Sequence, residues 1–371
     1  MSNLETRPAE QLCRSGGPDG VQVLTPRTVP LGGARAMTVR RTLPQRARSL
    51  VGAWCFADHY GPDDVAAGPG MQVPPHPHVG LQTVTWLFAG EVLHRDSVGS
   101  LETVRPGELN LMTAGRGISH SEETPADTPT RTLHGVQLWT ALPSGALDGA
   151  PSFEHHGDLP VLRVEGGVAH VLLGTLTLAR GAVASGGDAG ADVVAATSPA
   201  TAFTPLVGAQ LDLAPGARVV VRTEPGFEHA VLLDAGEVRV DGTGVARDHL
   251  AYVAPGPEEL VLEAGADAVT DDAGTVGARV MLLGGEPFAE DVVMWWNFVG
   301  RTHDDVARAR ADWQAGLVVM SGEGPNRGGT VYAPDVAGGR FGEVLGYAGG
   351  PLPAPVLPDV HLRPRTRPSA P

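Results

Sequence analysis

The chain has 371 residues, among them 50 glycines and 32 prolines, and carries a formal net charge of −15 with a pI near 5.2. All 27 basic residues are arginine, which excludes Schiff-base and lysine-base chemistry, and the acidic balance argues against direct nucleic-acid binding, which needs a basic stripe. Two cysteines, Cys13 and Cys55, are too few for a disulfide framework, no apolar signal segment opens the chain, and no apolar run approaches the roughly 18 residues of a membrane span. The expectation is a soluble, cytoplasmic, mostly β protein long enough for two domains.

Residues 1–20 are polar and read as a disordered leader. From 21 to 142 short β-patterned runs alternate with turns: Val21 to Leu24, Met37 to Arg40, Gly52 to Phe56, Leu81 to Phe88, Val92 to Arg95, Glu108 to Met112 and Val136 to Trp139. The stretch 143–160 is rich in Gly, Pro and Ser and reads as a linker. A second β-rich block, 161–300, contains strand patterns at Val168 to Leu173, Arg218 to Arg222, His229 to Leu233, Glu237 to Val240, Leu260 to Glu263 and Ala278 to Leu283. Within it, Gly181 to Ala200 reads as a flexible loop. Residues 301–371 hold one helix pattern, Thr302 to Ala315, with a capping box of Thr302 and Asp305 and a closing Gly316; a Gly- and Pro-rich tail follows.

The two blocks share an outline. Gly90-Glu91-Val92 and Pro106-Gly107 in the first correspond to Gly236-Glu237-Val238 and Pro255-Gly256 in the second, which suggests duplication of one barrel unit.

Chemistry concentrates in two i, i+2 pairs, His76-Pro77-His78 and His120-Ser121-Glu122. On a strand that spacing puts both side chains on one face. If the two strands face each other inside a barrel, three imidazoles and a carboxylate meet at one point and form a metal site. Imidazole suits the divalent first-row ions, and an added carboxylate favours those with open coordination positions. The second block has no such pair: Glu228-His229 is i, i+1 and reads as structural.

The run from His76 to Glu91, with His94-Arg-Asp-Ser97, Pro106-Gly-Glu108 and Met112 to Glu122, resembles the pirin family of bicupins. Asp58-His59-Tyr60-Gly61-Pro62, His134 to Trp139 and Met294 to Arg301 are also similar, so the likeness covers most of residues 21–315. The resemblance implies an all-β fold of two cupin jelly-roll barrels with a short C-terminal helix, and one mononuclear metal in the first barrel. It places the ligands on His76, His78, His120 and Glu122, with Fe(II) the expected ion and Mn, Ni, Cu or Co compatible. Pirins usually keep a glutamate where this chain has Gln82. By continuing the alternation from His76 and His78, Gln82, Val84, Trp86 and Phe88 are expected to face the cavity, with Gln82 and Trp86 in the substrate pocket. His59, His94 and His134 lack a dyad partner and are expected in supporting or surface roles.

Two functions follow from the resemblance. One is a dioxygenase that cleaves quercetin-type flavonols or related enolic aromatics with O2, in which Glu122 is the general base and Trp86 stacks on the flat rings. The other is a non-enzymatic, redox-sensing iron protein that acts through a protein partner. With both barrels in one chain, a monomer is the default expectation.

Overall fold

Alternating apolar runs interrupted by glycine and proline favour strands and tight turns over helices, and strands dominate the molecule. The computed structural model describes residues 20–31, 37–68, 70–180, 192–319, 329–334 and 339–364. Residues 1–19 of the expected leader, 181–191 of the expected loop and 365–371 of the tail lie outside the described residues.

The first half contains β1 (Gln22–Leu24), β2 (Arg27–Leu31), β3 (Met37–Leu43), β4 (Trp54–Asp64), β5 (Gln72–His78) and β6 (Leu81–Ala89). It continues with β7 (Val92–Asp96), β8 (Leu101–Val104), β9 (Leu109–Thr113), β10 (Ile118–Glu123), β11 (Thr132–Ala141) and β12 (Ser152–His156). One wall of the first barrel is the sheet β12-β9-β6-β11-β4-β3-β2, and the other is β5-β10-β7-β8. Between the walls the chain turns sharply at Gly80, whose φ of 73° suits glycine; a Cβ there would lie 2.1 Å from the Val299 carbonyl oxygen.

The second half supplies β13 (Val161–Val164), β14 (Gly167–Ala179), β15 (Val193–Thr197), β16 (Leu206–Leu213), β17 (Arg218–Arg222), β18 (Glu228–Gly236) and β19 (Val238–Val240). Then come β20 (Thr243–Val245), β21 (Leu250–Val253), β22 (Glu259–Ala264), β23 (Val269–Asp271), β24 (Gly274–Val276) and β25 (Ala278–Gly285). Their main path, β1-β21-β18-β25-β16-β14-β17-β22-β19-β20, repeats the order of the first barrel: β18, β25 and β16 stand where β6, β11 and β4 stand, and β17 and β22 where β5 and β10 stand. The duplication read from the Gly-Glu-Val turns is therefore visible in strand order. On β17 and β22 the inward pairs Val219 with Leu262 and Val221 with Leu260 are aliphatic and join a core of Val, Leu and Ala.

The end strands are exchanged. β1, from the first block, pairs with β21 of the second barrel, whereas β12 pairs with β9 of the first. The stretch expected as a linker thus contributes a strand, and β15, inside the expected loop, pairs with β14. Edge strands are held through their backbone groups and need no long apolar run, so composition alone hides them.

The barrels pack through the outer face of β6, β11 and β4. Trp54 Nε1 donates to the carbonyls of Val207 and Gly284 at 3.1 Å each, and one apolar cluster joins Val84, Trp86 and Leu138 to Leu172, Leu232 and Leu283.

After the second barrel come β26 (Val293–Trp295), β27 (Phe298–Gly300), α1 (His303–Ala315), β28 (Leu317–Val319) and β29 (Thr330–Tyr332). Thr302 caps α1, accepting from Asp305 N at 3.2 Å, while Asp305 Oδ2 accepts from Thr302 N at 2.8 Å. Its buried face, Val306, Ala309 and Trp313, packs on Val79, Trp296, Phe298 and Phe341. Trp313 Nε1 donates to the Leu352 carbonyl, and Leu352 N donates to the Pro75 carbonyl, so this extension returns to cover the outer side of β5.

Candidate metal centre

The two dyads lie on adjacent strands of one wall, not on opposite walls. β5 and β10 pair antiparallel with His76 directly opposite His120, and β10 pairs on its other edge with β7, setting His120 opposite Asp96 and Glu122 opposite His94. Residues opposite each other across a ladder share a face, as i, i+2 residues do, so side-by-side pairing brings the imidazoles together.

The ring centroids of His76 and His120 are 4.4 Å apart, those of His78 and His120 4.9 Å, and those of His76 and His78 5.0 Å. One nitrogen from each of the three rings lies within 4.8 Å of the others, and His94, His120 and Glu122 form a second such group that shares His120. All five side chains are buried. Burial drives the His76 pKa down to about 3 and holds His78 and His120 well below the usual histidine range, so these rings are neutral donors at ordinary pH.

Hydrogen bonds select the tautomers. His76 Nδ1–H donates to the Pro74 carbonyl at 2.9 Å, leaving the Nε2 lone pair for a ligand. His120 Nδ1 lies 3.3 Å from His94 Nδ1, and His94 Nε2 lies 3.0 Å from Asp96 Oδ2, whose other oxygen accepts from the backbone of Val98 and Ser100. With Nε2–H of His94 donating to Asp96, its Nδ1 accepts from His120, and His120 Nε2 is free to ligate. Nε2 of His76 and of His120 are buried without a hydrogen-bond partner among the described residues, as metal-binding nitrogens would be.

The facing wall completes the cavity. Thr85 Oγ1 lies 3.1 Å from Glu122 Oε1 and 3.0 Å from the Gln137 side-chain carbonyl position. A hydroxyl has one proton, so with the Gln137 amide turned to donate to Thr85, Thr85 donates to Glu122. Trp139 stands edge-on to His78 with centroids 5.1 Å apart and stacks on Phe56 at 3.9 Å; the Arg41 guanidinium caps Phe56 at 4.3 Å and makes a buried bidentate pair with Asp58 at 2.6 and 2.7 Å. This column backs His78. Phe153 of β12 stacks on His94 at 4.4 Å.

Two expected pocket residues lie elsewhere. Thr85 faces Glu122, so Gln82, Val84, Trp86 and Phe88 are on the opposite face of β6, toward the second barrel. Gln82 bonds Thr113, Thr140 and the Thr201 carbonyl; Trp86 Nε1 donates to Gln210 Oε1 at 2.7 Å. The expected parity fails because the chain changes walls at Gly80, and each wall defines its inner face anew.

Two family models match the chain: Pirin over residues 36–140, and the Pirin C-terminal cupin domain over residues 208–319. The chain belongs to the pirin family. A pirin-like protein of Caulobacter vibrioides is 38% identical over 291 residues, covering 76% of this chain and 90% of that protein. A Pseudomonas aeruginosa protein named "Putative quercetin 2,3-dioxygenase" is 40% identical over 319 residues, covering 85% of this chain and 91% of its own length. The crystal structure of quercetin 2,3-dioxygenase from Acinetobacter baumannii superposes with a TM-score of 0.75 at 36% identity, covering 93% of this chain and 98% of that one.

In this pirin the cavity also contains His94, expected in a supporting or surface role; His94-Arg95-Asp96 has the same i, i+2 spacing as the two dyads. His59 and His134 leave the cavity and face the second barrel. Glu228 is structural: its carboxylate accepts from Gly52 N at 2.7 Å and from the Tyr252 hydroxyl at 3.1 Å, tying the barrels together. No helix among the described residues is long and apolar enough to cross a membrane.

Proposed function

We propose that this pirin is a metal-dependent dioxygenase acting on flavonols of the quercetin type. The observation that carries the reading is the buried set of three neutral imidazoles beside Glu122, in a cavity whose facing wall holds one hydroxyl against that carboxylate. The names of the Pseudomonas and Acinetobacter relatives point the same way. His76, His78, His120 and Glu122 would hold the ion. Three nitrogens and one oxygen suit Fe(II), and Mn, Ni, Cu and Co share the preference. When bound, the ion supplies Lewis acidity toward an enolic oxygen and redox chemistry toward O2.

The protein's own groups handle the proton and the fit. Glu122 takes the proton of the flavonol 3-hydroxyl on its carboxylate, and the Thr85 hydroxyl steadies the oxygen it faces. The relay from His120 through His94 to Asp96 keeps the imidazole oriented. Trp139, Phe153 and Met112 provide the apolar inner surface for flat rings, the role expected of Trp86.

The test is aerobic incubation of metal-loaded protein with quercetin, following loss of the flavonol absorption band. Glu122→Gln is expected to lower kcat by about 10²–10⁴-fold, the usual weight of a general base. Absence of turnover with iron, manganese, nickel, copper and cobalt alike defeats the enzymatic reading and leaves partner binding ahead.

A further inference from the structure

We propose a second divalent-metal site, of the zinc class, between the two barrels, with His59 of β4, His134 of β11 and Asp234 of β18 as its protein ligands. His59 Nε2 and His134 Nε2 are 3.2 Å apart, and they lie 2.8 and 2.7 Å from the same oxygen, Oδ1 of Asp234. The three side chains are at most 2% exposed. Ligand atoms around a tetrahedral zinc ion with bonds of about 2.0–2.1 Å stand about 3.3 Å apart, so the nitrogen pair already has the spacing and the carboxylate has to withdraw by about 0.5 Å.

The surroundings are those of a ligand set. His59 Nδ1 lies 2.8 Å from Asp248 Oδ1, and Asp248 is itself held by Arg40 Nε at 2.9 Å. Arg279 Nη1 holds the other oxygen of Asp234 at 2.9 Å. A carboxylate on the far nitrogen of a histidine is the usual support of a metal-bound imidazole. His59 faces a carboxylate at each nitrogen, Asp234 at Nε2 and Asp248 at Nδ1. An ion on Nε2 leaves Nδ1 facing Asp248.

The site shares no side chain with the His76, His78, His120 and Glu122 cavity, and Phe88 stands edge-on to both of its imidazoles. Its ligands come from both barrels, so an ion here would fasten one barrel to the other and serve stability.

The experiment counts zinc by mass spectrometry after equilibration with zinc chloride and desalting, with thermal unfolding as a second readout. Wild-type protein is expected to retain two equivalents, and the His76→Ala/His120→Ala variant one, with a zinc-dependent rise in Tm. Adding His134→Gln to that variant is expected to remove both the last equivalent and the rise; Asp234→Asn provides an independent check should one of them fold poorly. If the His76→Ala/His120→Ala protein retains no zinc, or retains it equally after His134→Gln and after Asp234→Asn, the proposal is overturned. The cluster is then a hydrogen-bonded contact between the barrels.

Discussion

Burial also fixes the protonation of a histidine outside the candidate metal site. His229, in the second barrel, has its pKa lowered to about 4 by burial. Between pH 6.5 and 4 the unfolded chain takes up a proton there and the folded chain does not, so stability falls as pH drops through this window. His229→Gln removes that contribution. The variant is expected to lose less stability between pH 7 and pH 5 than wild type, by on the order of 1–2 kcal/mol, measured by urea unfolding of metal-free protein at both values. Individual residues differ in how well sequence announces them. That His76 and His78 share a face of their strand, and His120 and Glu122 a face of theirs, was legible because alternation is reliable within one strand. Gln82 and Trp86 were misplaced because alternation was carried through the Gly80 turn into another wall. His59, His134 and Asp234 come from three strands separated by up to 175 positions, and no local pattern marks their meeting.

At the level of single elements, local chemistry and long-range pairing divide the outcome. Helix α1 was legible to the residue because its signals are internal: Thr302 and Asp305 satisfy each other's backbone groups, and Gly316 ends the helix. Thr302→Ala is expected to destabilise the protein by about 1 kcal/mol, seen as a lower denaturant midpoint with unchanged metal content. Arg218–Arg222 is also legible with its observed limits, since a run of three β-branched valines between two arginines carries the signal. By composition β12 reads as linker and β15 as loop, and both are strands. Ser152-Phe-Glu-His-His156 has one large apolar residue, and it becomes a strand only because β9 offers it unpaired backbone groups. That offer is invisible until the barrel exists.

Across the whole molecule, the repeated strand order lets the two barrels be compared position by position, one with a histidine-lined cavity and the other packed. The strands that bring His76 opposite His120 in the first bring Val219 opposite Leu262 in the second, so the second interior is filled by aliphatic groups. The duplication was legible in two Gly-Glu-Val turns, whereas the crossed end strands were not, because β1 precedes a barrel to which it does not belong. That crossing makes the halves an interlocked pair. Cut in the connection near residue 158, the polypeptide would yield two pieces, each holding a part the other needs: β1 on one, and on the other the helical extension that shields β5. Co-expressed, residues 1–158 and 159–371 are expected to reassemble and co-purify, while the latter piece alone stays insoluble; trimming residues 1–26 from its companion should weaken recovery, as gel filtration of the mixture would record.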